Sequence, residues 1–161
     1  MFKTGEFAIK NGFGVLEIVD IIKQSFLGGG SEDYYKLVSM DKKTVVNVPV
    51  SRASTLIRPI LTTEEAQNII ENVLSFAVNL DPNEKVRRKF LEDRSAGERE
   101  DSLVVVGSII KRLAMGKKLA FFERTAFDVA GDKIFGEVAF VLSSTKEKVK
   151  QECLKSAGVE M

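Results

Sequence analysis

Arg58-Pro59-Ile60-Leu61-Thr62-Thr63-Glu64-Glu65-Ala66-Gln67-Asn68-Ile69-Ile70 is the stretch where the pattern of the chain changes. From Leu61 onward the apolar residues recur at helical spacing. Thr62 followed three residues later by Glu65 is a capping box, which satisfies two orphan N–H groups at a helix start. The helix it opens carries Ile69, Ile70, Val73, Leu74 and Ala77 on one face, and Asp81-Pro82-Asn83 stops it. Upstream of Arg58 the period is that of strands. The chain therefore reads as α+β, with a β module over residues 1–62 and an all-α module over 63–161.

Working back toward the N-terminus, residues 6–10, 14–23, 33–38 and 43–50 are short segments rich in Val, Ile, Phe and Tyr. Turn material divides them: Asn11-Gly12, Gly28-Gly29-Gly30-Ser31 and Asp41-Lys42. In the second segment Val15, Ile18 and Ile22 alternate imperfectly with Glu17, Asp20 and Lys23, as in a strand bent by a bulge. So few short strands cannot bury two faces as a flat sheet, and a small curled barrel of the SH3 or Tudor kind is the expected solution.

Working forward, a charged helix is expected from about Glu84 to Arg94. A second runs from Asp101, as N-cap, through Leu103, Val106, Ile109, Ile110 and Leu113 to Gly116. A longer one covers Ala120 to Leu142, with Phe122, Phe127, Ala130, Ile134, Val138 and Val141 inside. The last opens at Ser144, with Glu147 three residues on, and stops at Gly158. The module thus has four to five helices, and Phe121 and Phe122, being adjacent, divide between surface and core.

Composition narrows the chemistry. The 161 residues contain no histidine and one cysteine. That leaves no Ser-His-Asp or Cys-His pair, no His-bearing zinc site and no internal disulfide. Gly12 and Gly14 resemble the start of a dinucleotide fingerprint, but Glu17 stands at the third glycine position and the segment joins two strands. Gly28 to Gly30 lacks the Lys-Ser/Thr of a phosphate loop. Glu64/Glu65 and Glu92/Asp93 sit on polar helix faces, unlike a catalytic carboxylate in a dry pocket. Cys153, spaced at i, i+4 with Val149 and Ala157, reads as packing. A non-enzymatic protein without cofactor or metal is expected. The apolar run from Leu103 to Ile110 is far short of the ~20 residues that span a bilayer, so no membrane association is expected. The lone thiol fits a cytoplasmic protein.

The overall net charge of +1 hides a strong asymmetry. Residues 63–84 carry five acidic groups and no basic one, whereas residues 85–124 carry eleven basic and six acidic groups. The cations cluster as Lys85, Arg87, Arg88, Lys89 and as Lys111, Arg112, Lys117, Lys118. This is either a local footprint for a phosphate backbone or a solvated helix face whose arginines pair with Glu92, Asp93 or the acidic 64–71 segment.

Phe2-Lys3-Thr4-Gly5-Glu6, the turn at Gly14, Val48-Pro49-Val50, Ile57-Arg58-Pro59, Arg87-Arg88, and Glu123-Arg124 with Gly136-Glu137 occur in an order and spacing that resembles the CarD/CdnL family of bacterial RNA polymerase-binding transcription regulators. The likeness covers roughly residues 2–142. It implies a Tudor-like domain, shared with the transcription-repair coupling factor, that binds the polymerase β subunit, and a helical domain that contacts promoter DNA. The positions corresponding to the family's polymerase-binding arginines are Gln24, beside Lys23, and Asn47. Neither Asn nor Gln makes a bidentate contact to a carboxylate, a difference of about 1.5–3 kcal/mol. The family's minor-groove tryptophan is replaced by Lys85, and its helix-capping serine by Ala120.

The resemblance and the charge together assign Lys23, Gln24 and Asn47 to polymerase binding. Lys85, Arg87, Arg88, Lys89 and Arg124 are assigned to the phosphates of double-stranded DNA, without sequence selectivity. Two alternatives stay open: a DNA-binding regulator that acts without polymerase, and a protein–protein adaptor that lacks the DNA wedge.

Overall fold

Five antiparallel strands form the N-terminal part: β1 (Phe7–Lys10), β2 (Gly14–Ser25), β3 (Ser31–Ser39), β4 (Val45–Pro49) and β5 (Arg58–Pro59). Their order across the sheet is β4-β3-β2-β1-β5. The computed structural model describes residues 2–159. The chain falls into two units, Met1–Ile60 and Leu61–Met161.

In the first unit, strand alternation sends Ala8, Leu16, Ile18, Tyr35, Leu37 and Val48 to one face, where all are buried. A 3₁₀ turn (Val50–Arg52) and a one-turn helix, α1 (Ala53–Leu56), bring Ala53 and Ile57 over that face. The expected irregularity in the second strand is a β-bulge between Ile18 and Asp20. Beyond it, Ile21 pairs with Tyr35 and Asp20 turns to the outer face. The sheet is open and is not the closed barrel anticipated. β5 has two residues, pairs only Ala8↔Pro59 and Ile9↔Arg58, and among the described residues does not meet β4. Proline has no N–H to extend the ladder, and the 3₁₀ and α1 turns use up the chain that a longer closing strand would need.

The second unit contains α2 (Thr63–Glu71), α3 (Glu84–Ser95), α4 (Arg99–Ala114), α5 (Phe121–Val141) and α6 (Lys146–Ser156). The capping box at α2 is formed: Glu65 N–H donates to Thr62 Oγ1 at 3.1 Å, and Thr62 N–H donates to Glu65 Oε1 at 2.9 Å. α2 does not continue to Ala77. It ends at Asn72, and a 3₁₀ turn (Val73–Phe76) buries Val73 while Leu74 faces solvent. Helix α4 starts at Arg99, two residues before the anticipated cap at Asp101, which instead holds Arg94 at 3.0 Å. Thr145, not Ser144, caps α6; Lys148 stands three residues on, so no capping box with Glu147 forms.

Helix α4 is the centre of the second core. Leu103 and all of Val105 to Ile110 are buried, more than one face of a helix, because α3, α5 and the 3₁₀ turn pack around it. Gly107 is explained by that crowding. A Cβ there would lie 2.8 Å from the Val73 carbonyl oxygen, so only glycine admits the crossing turn, despite its ~1 kcal/mol cost in a helix interior. Among the described residues, no helix is long and apolar enough to cross a membrane.

Candidate nucleic-acid interface

The head of α5 is built around a buried carboxylate. Glu123 is 1% exposed, lies 2.5 Å from Arg112 of α4 and 3.6 Å from Arg87 of α3, and accepts the Ala120 N–H at 3.2 Å. Ala120 has no side-chain oxygen to return a cap, so only half of a capping box exists here. The close Arg112–Glu123 approach is an ion contact without hydrogen-bond alignment, since neither Arg112 Nε nor Glu123 Oε2 has a hydrogen-bond partner. One buried negative charge thus draws together the C-terminal end of α4, the first half of α3 and the start of α5. Glu137, further along α5, does the same for Arg99 of α4 at 2.6 Å and also accepts the Leu61 N–H at 2.7 Å.

This arrangement sorts the cations expected to bind phosphate. Arg87 is turned inward: it is 8% exposed, and its Nη1 donates to the Asp81 and Pro82 carbonyls at 3.1 and 3.2 Å. Its role is to hold the loop before α3, and it is not available to an external phosphate. The anticipated pairing of the arginines with Glu92, Asp93 or the acidic 64–71 segment does not occur either: Arg87 takes Glu123 and Arg88 takes Glu84. Arg88, Lys89, Lys85 and Arg124 are all exposed. The Arg88–Glu84 and Lys89–Asp93 contacts, at 3.8 and 3.4 Å, are surface pairs one helical turn apart. Such pairs contribute about 0–1 kcal/mol, too little to hold either cation against a phosphate.

Arg88 also lies over the Phe122 ring, 4.9 Å from its centroid, which places it at the head of α5. The loop entering α5 adds exposed Lys117 and Lys118, which the site assignment from sequence omitted. The two phenylalanines divide as anticipated, with Phe122 buried and Phe121 76% exposed. Between α3 and α5 lies a depression of about 400 Å3, bordered by Glu84, Arg88, Glu92, Phe121, Phe122 and Thr125. Arg88 and the exposed Phe121 ring thus border one depression, and the exposed Lys117, Lys118 and Arg124 lie within four residues of Phe121 along the chain.

The residues assigned to polymerase are not gathered. Lys23 and Gln24 are consecutive on β2 and point to opposite faces of the sheet. Gln24 pairs with Glu32, whereas Asn47 pairs with Lys36 on the other side of β3. Gln24 and Asn47 share the outer face but stand four residues and two strand spacings apart, roughly 16 Å. Asn47 instead completes a row with Asp20 and Lys36. No family model and no curated protein matches this chain.

Proposed function

We propose that the chain is a CarD-like transcription regulator: the β unit docks on the RNA polymerase β subunit, and the helical unit holds double-stranded DNA by its phosphates. The observation that carries this reading is the set of exposed cations at the head of α5, with Lys117 and Lys118 in the loop before it, Arg124 in its first turn and Arg88 over Phe122, where the buried Glu123 is already shared by two other arginines. A cation cluster on a rigid helix end positions a duplex without reading its sequence. The open, bulged sheet is read as a Tudor-like module whose last strand is too short to close it. Among the described residues β4 pairs only with β3, so its outer edge offers unpaired N–H and C=O groups for a strand of the partner. That edge carries Asn47, whereas Lys23 and Gln24 lie beyond its reach.

The test has two arms on the full chain. Duplex affinity should fall steeply with salt, and the triple variant Lys117→Glu, Lys118→Glu, Arg124→Glu should lose about 2–3 units of the log–log salt slope. Tagged protein, nuclease-treated, should retain RNA polymerase from host lysate. A salt-independent duplex affinity refutes the DNA arm, and loss of polymerase with DNA binding intact shifts the reading to a regulator that acts on DNA alone.

A further inference from the structure

We propose that the head of α5 is a stacking site for an unpaired nucleobase, so that the preferred ligand of this surface is single-stranded DNA. The inference rests on the reading of this surface as DNA-contacting and changes its substrate class. Phe121 carries it. The ring is 76% exposed on the first turn of α5, where the neighbouring Phe122 already supplies the core contact. Phe121 is thus not needed for packing, and its rigid side chain presents a free π-face. Cations neighbour it along the chain, with Lys117 and Lys118 before it and Arg124 one helical turn after it, and Arg88 of α3 borders the same depression while lying over Phe122.

The depression beside Phe121 has the right chemistry for a base edge. Arg88 offers N–H donors, Glu84 and Glu92 offer acceptors, and the Thr125 hydroxyl offers both, over an aromatic floor. Its volume of about 400 Å3 falls within the range of small-ligand pockets. A phosphate track with an exposed aromatic is the recurring design of single-strand binding surfaces, where stacking tolerates any base because every base has a π-face. In a duplex both faces of each interior base are already stacked, so the same ring gains nothing there without unpairing.

The experiment measures fluorescence anisotropy of the full chain with an oligothymidylate of about 12 nucleotides and with the same length of duplex, at about 50 mM salt. Phe121→Ala should weaken single-strand binding roughly 5- to 100-fold and leave duplex binding within about threefold. Phe121→Trp should retain binding. Because the chain has no other tryptophan, that variant also reports contact directly through quenching of its indole fluorescence by the oligonucleotide. Equal affinity of Phe121→Ala and wild type for oligothymidylate overturns the stacking site while the charge-reversal variant still tests the DNA reading. Phe121→Leu matching wild type likewise overturns it, in favour of a plain apolar contact of the kind a protein partner makes. Failure of the wild-type chain to bind either oligonucleotide overturns both readings together.

Discussion

Replacing Glu123 by alanine tests the electrostatic hub on which the site depends. The carboxylate is 1% exposed, and the side chains it neutralises are themselves withdrawn from water: Arg87 at 10% and Arg112 at 18% exposed. Glu123→Ala strands two guanidinium groups at the meeting point of three helices. Removing one partner of a buried ion pair costs about 3–5 kcal/mol, because the remaining charge has neither water nor counterion. The Ala120 N–H also loses its acceptor. A domain of about 100 residues shifts roughly 4–8 °C per kcal/mol, so the helical unit should melt more than about 12 °C lower. Urea titration followed by far-UV circular dichroism measures this, since the helices dominate that signal. Glu123→Gln, which keeps an acceptor for Ala120 but no charge, should fall between wild type and Ala. The triple change of Glu123, Arg87 and Arg112 to methionine should recover part of the loss, since it leaves no charge unpaired but gives up the Arg87 bonds to the Asp81 and Pro82 carbonyls and the acceptor of the Ala120 N–H. A loss below about 1 kcal/mol for Glu123→Ala would place the contact with ordinary surface pairs and refute the idea of a buried hub.

Three further outcomes follow from the geometry. Gly107→Ala should destabilise by about 1–3 kcal/mol in the same urea titration, because its methyl must displace backbone of the Val73–Phe76 turn, whereas helix propensity alone favours alanine. Burial pushes the Cys153 thiol up to about 12, so a disulfide reagent at neutral pH should label the native chain only as fast as the helical unit opens, and at once in denaturant. The Thr62 backbone N–H and then its hydroxyl hold the Glu65 carboxyl below its ordinary value, so this stabilisation is complete above about pH 4.5 and is lost as pH falls through the folded value. Glu65→Gln should accordingly show a smaller acid-induced loss of helix stability than wild type.

The fold was legible where local chemistry decides. Thr62 and Glu65 announce a helix start from four residues, and the broken alternation at Ile18 to Ile22 announces a bulge. Closure of the sheet was not legible, since it depends on how many residues remain for β5 after the turns at 50–56. The end of α2 was hidden for a related reason: Val73 and Leu74 keep the helical period, and only the crossing of α4 at Gly107 forces them into a tighter turn. Arg87 could have been placed correctly. It stands four residues before Leu91 and eight before Ser95, both buried, so it belongs to the inner face of α3 whatever its charge. Glu123 carries the same signal, four residues before the buried Phe127, and Glu137 lies three after Ile134. Each of these carboxylates meets an arginine of another helix, a match that no local pattern displays.

That sorting explains why counting charge along the chain marked out a cationic segment without resolving which of its cations face solvent. Of the cations between 85 and 124, Arg87, Arg99 and Arg112 are committed to Glu123 or Glu137, each drawn into a contact between helices. A planar guanidinium is weakly hydrated and can reach several acceptors from one stem, which suits it to such half-dry positions. Lys85, Lys89, Lys117 and Lys118 stay at the surface, as the more strongly hydrated ammonium does, joined there by Arg88 and Arg124. The inner arginines make the head of α5 rigid by neutralising its carboxylate. The outer cations then face solvent with only weak partners, and the exposed ring of Phe121 lies close to Lys117, Lys118 and Arg124 in sequence and borders one depression with Arg88. On the reading proposed above, a surface with that division of labour would hold a polyanion by its phosphates and offer one flat apolar face to whatever base is free to leave its stack.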